Sequence, residues 1–199
     1  MVRPRQISDD AILKAARRFF LEHGPGLATG VIAKSLGISQ ATLFNRFGTK
    51  EELLRASLNI PTATWAEELE SGPTSEPIGE QLQAIGLAIL DFLRQMMPVM
   101  VTLRAAGLNP PDFIGQGDTP PPVCHHQKLS RWFEQAHERG LLKVPSASTA
   151  AQAFMGTLHA RAMMQHIWKQ PMVPLPDELY IAQFVNTLLV GLQQQSEEP

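Results

Sequence analysis

Apolar residues recur along this chain at intervals of three and four, and no stretch alternates as a half-buried strand requires. That spacing puts them on one side of a helix with 3.6 residues per turn, so the chain is expected to be all-α. Ile12, Leu13, Ala16, Phe19 and Phe20 form the first stripe, with Ser8 as N-cap, Asp9 and Asp10 in the first turn, and Gly24 as the stop. A short second helix follows Thr29, buries Ile32, Ala33 and Leu36, and stops at Gly37. A third starts after Ser39, buries Leu43 and Phe47, and ends at Gly48. Thr49-Lys50-Glu51-Glu52 has the form of a capping box and opens a fourth helix running toward Pro61.

Beyond Pro61 proline punctuates longer helices. Residues 71–77 are a loop; 78–97 and 98–106 are expected as two helices, with Pro98 acceptable at a helix start. Residues 107–122 hold no periodic pattern and form the longest loop, and 123–139 are helical up to Gly140. Ser146 or Ser148 begins a long helix to about Lys169, and residues 171–176 separate it from a last helix, 177–194.

A hydrophobic content of 44% suffices for a packed core and excludes a disordered chain. No run of eighteen uninterrupted apolar residues occurs, so no membrane span is expected. The first ten residues lack the apolar stretch of a secretory signal. Cys124 is the single cysteine, which excludes an internal disulfide and suits the cytosol, so a cytoplasmic address is expected. Charge is uneven. Residues 1–60 carry nine Lys/Arg against five Asp/Glu, whereas the remaining residues carry eight against fourteen. A basic head on an acidic body points to a polyanion met by the head alone.

The tightest local signal is the pair of short helices joined by Leu36-Gly37-Ile38-Ser39. The turn needs one residue that tolerates positive φ, which Gly37 supplies. Ile38 can plug the angle between the helices. Ser39 caps the second helix, whose first turn is left exposed for a major groove. From Ile12 to Leu54 the text runs ILKAARRFFLEHG, then TGVIAKSLGISQATLFNRFGTKEELL, and this resembles the TetR family of transcriptional regulators. The resemblance implies a three-helix helix-turn-helix head in residues 1–50 and a larger helical ligand-binding and dimerisation domain in residues 51–199. It further implies a repressor, released from a palindromic operator by a small apolar or aromatic effector.

Carried over residue by residue, the family's DNA contacts fall on Thr29, Gln40, Ala41, Thr42, Phe44, Asn45 and Lys50. The amides of Gln40 and Asn45 suit base edges, and Thr42 offers a hydroxyl to phosphate or a methyl to thymine. Lys50 matches the family's backbone-contacting lysine. Phe44 stands where the family usually has Tyr, so one phosphate hydrogen bond is missing, and Arg46 is the candidate to replace it. Arg3 and Arg5 form a basic arm suited to phosphates or a minor groove.

In the body, the resemblance implies that the last two helices of each subunit build a four-helix dimer interface. Leu179, Ala182, Phe184, Val185, Leu188, Leu189 and Leu192 give the last helix more apolar surface than one stripe requires. An effector pocket is expected among Phe92, Met96, Met97, Met100 and Leu103, faced by Phe113, Trp132, Met155, His159 and Met163, because methionine lines adaptable apolar cavities. No cofactor, metal or catalytic group is expected. His159, Met163 and His166 share a helical face without being a metal pair, and Cys124-His125-His126 point about 100° apart as helix neighbours. That divergence also argues against a Cys/His enzyme. The expected partners are double-stranded DNA, a small effector and a second copy of the chain, with no membrane. A helical dimer that only binds proteins is the alternative, and it leaves the exposed Gln40/Thr42/Asn45 turn without a purpose.

Overall fold

The computed structural model describes residues 7–59, 61–109 and 119–191. Arg3, Arg5, Phe113 and Leu192 lie outside them. Among the described residues there are nine α-helices and no strand. They are α1 (Asp9–His23), α2 (Thr29–Ser35), α3 (Gln40–Phe47), α4 (Lys50–Ser57), α5 (Thr64–Glu68), α6 (Ile78–Ala105), α7 (Pro121–Glu138), α8 (Ala147–Trp168) and α9 (Asp177–Val190). A 3₁₀ turn, Leu69–Ser71, follows α5. The all-α expectation holds.

The helix ends follow capping chemistry. Ser8, Ser39, Thr49 and Ser146 each accept a backbone N–H from three residues on, satisfying an amide that the first turn leaves unpaired. One expectation fails: Pro98 sits inside a single 28-residue helix rather than at the start of a second one. Proline removes one intrahelical donor there and crowds the carbonyl four residues back. Burial on both sides of it offsets that cost, with Leu90 and Leu93 at 1% exposure and Val99 and Leu103 at 0%. By length and composition alone α6 is long and apolar enough to cross a membrane. Its buried side chains, among them Ile89, Leu90, Leu93, Val99 and Leu103, lie in the protein cores.

The described residues form two compact units, one from residues up to 61 together with 98–109, the other from 62–97 together with 119–191. The first unit is built on Ile12, Ala16 and Phe20 of α1, Ile32 and Ala33 of α2, Leu43 of α3, Leu53 and Leu54 of α4, and Val99 and Leu103 of α6. Helix α4 and the last turns of α6 therefore share the core of the first three helices.

The second unit centres on Trp65, Ile89, Phe92, Leu93, Trp132, Phe133, Phe154, Leu158, Ile181 and Val185. Gly86 lets α6 close on this core, since a β-carbon there would lie 2.9 Å from Ile181 Cγ2 and 3.4 Å from Phe154. A partly buried ion network ties the start of α9 to its neighbours. Arg161 on α8 is 5% exposed. Its guanidinium donates to Asp177 Oδ1 at 2.9 Å and to the carbonyls of Val173 and Leu175, and it lies 4.0 Å above the Tyr180 ring. Arg94 of α6 also pairs with Asp177 and donates to Gln165 Oε1. Burial works to raise the Asp177 pKa, but the hydrogen bonds and charges of Arg161 and Arg94 outweigh it and hold the carboxyl below its ordinary range.

Candidate nucleic-acid interface

The first unit positions α3 through the turn that precedes it. After α2 the chain passes Leu36 and reaches Gly37 at φ 66°. The Ile38 amide donates to the Ala33 carbonyl at 3.1 Å, and the Gly37 amide donates to the Lys34 carbonyl at 3.1 Å. This pair of bonds is a Schellman ending, and Ile38 packs onto the core as its apolar partner. Ser39 then caps α3, its hydroxyl 3.0 Å from the Thr42 amide and 2.8 Å from the Thr42 hydroxyl.

Leu43 is fully buried, and Phe47 packs against the same core. Those two anchor one face of α3, four residues apart. The other face offers Gln40, Ala41 and Asn45 to solvent, with Thr42 and Phe44 half-buried beside them. Two short helices joined at a fixed angle thus present one exposed turn of polar side chains and backbone amides, a shape and chemistry that fit a major groove.

Besides Thr42, whose hydroxyl meets that of Ser39, three of the expected contact residues have partners inside the unit. Thr29 is 3% exposed, and its hydroxyl accepts from Gln40 Nε2 at 2.8 Å. Thr29 is the first residue of α2 rather than its cap, which is Ala28. Gln40 thereby spans α3 to α2, its amide oxygen passing beside Gly30 at a distance where a β-carbon would make ordinary contact, 3.5 Å. Arg46 donates to the Ile7 carbonyl and to Asp9 Oδ1, so its guanidinium closes the start of α1 onto α3.

Lys50 is the first residue of α4, inside a complete capping box. Glu52 Oε2 accepts the Thr49 amide at 2.6 Å and Thr49 Oγ1 accepts the Glu52 amide at 3.1 Å. The Thr49 backbone hydrogen bond, then the hydroxyl, hold the Glu52 carboxyl below its ordinary pKa. Gly48 is favoured here by its φ of 72°; a β-carbon would also lie 2.2 Å from Glu52 Oε2, so that carboxylate would have to turn out of the capping box.

In the second unit, Phe92, Met97, Trp132 and Met155 share the core and Met96 packs against it. His159 is half-buried, its Nδ1–H directed at the Met155 carbonyl 2.8 Å away. Met163 is 39% exposed, and Met100 falls within the first unit. Sequence reasoning missed two members of this cluster. The Trp65 ring lies 5.3 Å from His125 and 6.4 Å from Phe92, and His125 sits edge-on to Phe92 at 5.6 Å. Burial, then the charges of Lys128 and His159, push the His125 pKa down, so its ring is neutral at neutral pH. Cys124, His125 and His126 turn to separate partners: the Thr119 carbonyl, the Trp65 and Phe92 rings, and the Ser148 carbonyl. No hydrolase-like arrangement forms from them.

The outward side chains near the C-terminal end are strongly apolar. Ile167, Trp168 and Met172 are 55%, 65% and 75% exposed, while α9 shows Leu179, Leu188, Leu189 and Val190 to solvent. The same helix buries Ile181 and Val185 inward.

Comparison with known proteins bears on both units. Residues 12–57 match the model of the bacterial regulatory proteins of the tetR family. Residues 80–190 match the AefR-like transcriptional repressor C-terminal domain. Among solved structures, a tetR-family regulator from Rhodococcus is 19% identical with a TM-score of 0.62, covering 92% of this chain and 97% of its own. PfmR from Thermus thermophilus is 21% identical with a TM-score of 0.59, covering 92% and 99%. The fatty acid degradation regulator FadR from Bacillus halodurans is 19% identical with a TM-score of 0.52, covering 94% and 100%.

Proposed function

The chain belongs to the TetR family of transcriptional regulators, and from that premise we propose that it is a homodimeric repressor whose effector releases it from a palindromic operator. Membership makes it a DNA-binding regulator and not an enzyme. The observation that carries the DNA reading is α3, seated by Leu43 and Phe47 and presenting Gln40, Ala41 and Asn45 outward from a Ser39-capped first turn. In this reading DNA binding belongs to residues 1–50 and effector binding and dimerisation to 51–199.

Asn45 and the carbonyl end of Gln40 meet base edges, Thr42 and Phe44 meet the sugar–phosphate wall, and Lys50 neutralises a phosphate. Thr29 acts through Gln40, and Arg46 through α1, each holding α3 at its angle. The AefR-like match in the body supports repression rather than activation. The outward apolar residues of α9 support a second copy as their cover, since a helix that buries both faces needs two neighbours. The aromatic-rich core, with Met97 and Met155 in it and Met96 against it, supports an apolar or aromatic effector, as does the likeness to a fatty acid degradation regulator. A DNA-bound regulator of a bacterial family works in the cytoplasm.

Selection of bound sites from random duplex DNA tests the reading. The expected product is a palindrome with half-sites about one helical turn or more apart. Leu188→Glu places a carboxylate where apolar cover is expected, and it should give monomers that hold single half-sites weakly. Recovery of an asymmetric site, or a dimeric Leu188→Glu protein, removes the two-fold arrangement.

A further inference from the structure

Gln40 is the first residue of α3, so its backbone is fixed by the Ser39 cap, and the far end of its side chain is fixed as well. Its Nε2 donates to the Thr29 hydroxyl at 2.8 Å. Thr29 is 3% exposed and opens α2, which makes it a fixed point of the unit rather than a surface group. The Gln40 amide oxygen lies on the side of Gly30, where a β-carbon would stand 3.5 Å away. Gln40 as a whole remains exposed. A surface glutamine ordinarily samples many rotamers and both senses of its amide. This one is held at both ends on an exposed helix turn.

The bond to Thr29 limits what the amide can read. A primary amide carries two N–H donors and one carbonyl acceptor. With one N–H committed to Thr29, one N–H and the oxygen remain. In the major groove adenine presents an acceptor, N7, beside a donor, N6, whereas guanine presents two acceptors, N7 and O6. One donor and one acceptor match adenine. Turned over, with its oxygen on the Thr29 hydroxyl, the same amide would present two donors and match guanine. The direction of the Thr29 bond therefore decides between the two purines.

We propose that Thr29 is a positioning residue for base recognition, holding the Gln40 amide in the sense that reads adenine. Buried as it is, Thr29 acts through Gln40 and sets which base is preferred. Holding the amide beforehand also spares the ordering that a free side chain would undergo on binding. The proposal rests on α3 as the DNA-reading helix and deepens that reading by naming the base and the residue that selects it.

Selection of sites from random duplex DNA by the full chain and its variants tests this. Gln40→Ala locates the position concerned, because preference there should vanish while the rest of the selected site persists. At that position the natural protein should favour adenine over guanine roughly tenfold or more. Thr29→Val keeps the side-chain shape, removes the acceptor and frees the amide to turn. The adenine preference should then fall roughly fivefold, with guanine the base gained. Thr29→Ser keeps the hydroxyl and should keep the preference, a rescue that a role in packing alone would not predict. Gln40→Glu, at an exposed position, offers acceptors only and should shift the preference to cytosine, whose N4 is a donor. The proposal is overturned, with the DNA reading left standing, by a base other than adenine at that position or a site that Gln40→Ala leaves unaltered. An adenine preference that survives Thr29→Val or Gln40→Glu, or is lost in Thr29→Ser, overturns it equally. Failure of the natural protein to select any duplex overturns both.

Discussion

In the first unit, the polar contacts that shape the recognition turn mostly join atoms three to five residues apart: Ser39 to Thr42, Gly37 to Lys34, Ile38 to Ala33, Thr49 to Glu52. In the second unit the corresponding contacts cross long stretches of chain, Arg161 to Asp177 sixteen residues away and Arg94 to Gln165 seventy-one away. The first arrangement builds a rigid presenting surface from many small, separable contributions. The second concentrates the fixing of α9 in one charged cluster, so a single loss should be felt more. Binding of DNA benefits from the former, since amides and side chains must already stand at the groove's spacing.

The largest expected effect is therefore Arg161→Ala. It leaves Asp177 partly buried without its main partner and frees the carbonyls of Val173 and Leu175, and should destabilise by about 3–5 kcal/mol in denaturant melts. A loss below about 1 kcal/mol would put the two units on the same footing.

Acid should sharpen the contrast. The folded state depresses the Asp177 pKa, so its contribution is present above the unfolded carboxyl's pKa and is lost as pH falls through the lower folded value. Melting temperature should accordingly drop on the acid side of about pH 4 in the natural protein, and that drop should be smaller in Asp177→Asn. Equal acid sensitivity in both proteins would remove Asp177 as the titrating group.

Smaller effects belong to the first unit. Gly48→Ala forces a β-carbon into a positive-φ site against the Glu52 carboxylate, at a cost of about 1–3 kcal/mol. Ser39→Ala removes one cap of α3 and should cost about 1 kcal/mol. If Ser39→Ala outweighs Gly48→Ala in chemical denaturation, the local caps are not the separable contributions described above.

The same contrast explains what the sequence made legible. The turn at Gly37, the Ser39 cap, the capping box at Thr49 and the inward Leu43 and Phe47 are local patterns, and each appears in the structure where the sequence puts it. Pro98 misled because its local preference for a helix start was overridden by burial of Val99 and Leu103 in a core assembled from distant segments. Burial of Arg161, the Trp65–His125–Phe92 cluster and the bond from Gln40 to Thr29 depend on residues brought together only by folding. No periodicity announces them. Ser, Thr and Gln near helix starts are legible as caps or contacts, but which partner they take is set by the angle between helices.

Duplex DNA binding by the full chain across a series of salt concentrations tests the central claim most directly, the claim being that α3 and the start of α4 form a DNA-binding surface. The logarithm of affinity should fall linearly with the logarithm of salt, and Lys50→Ala should make the slope shallower by about one unit. Asn45→Ala should leave the slope unchanged and weaken binding to the selected palindrome alone, by about 1–3 kcal/mol. Affinity that ignores salt, or survives both substitutions intact, would contradict the assignment of this surface to DNA.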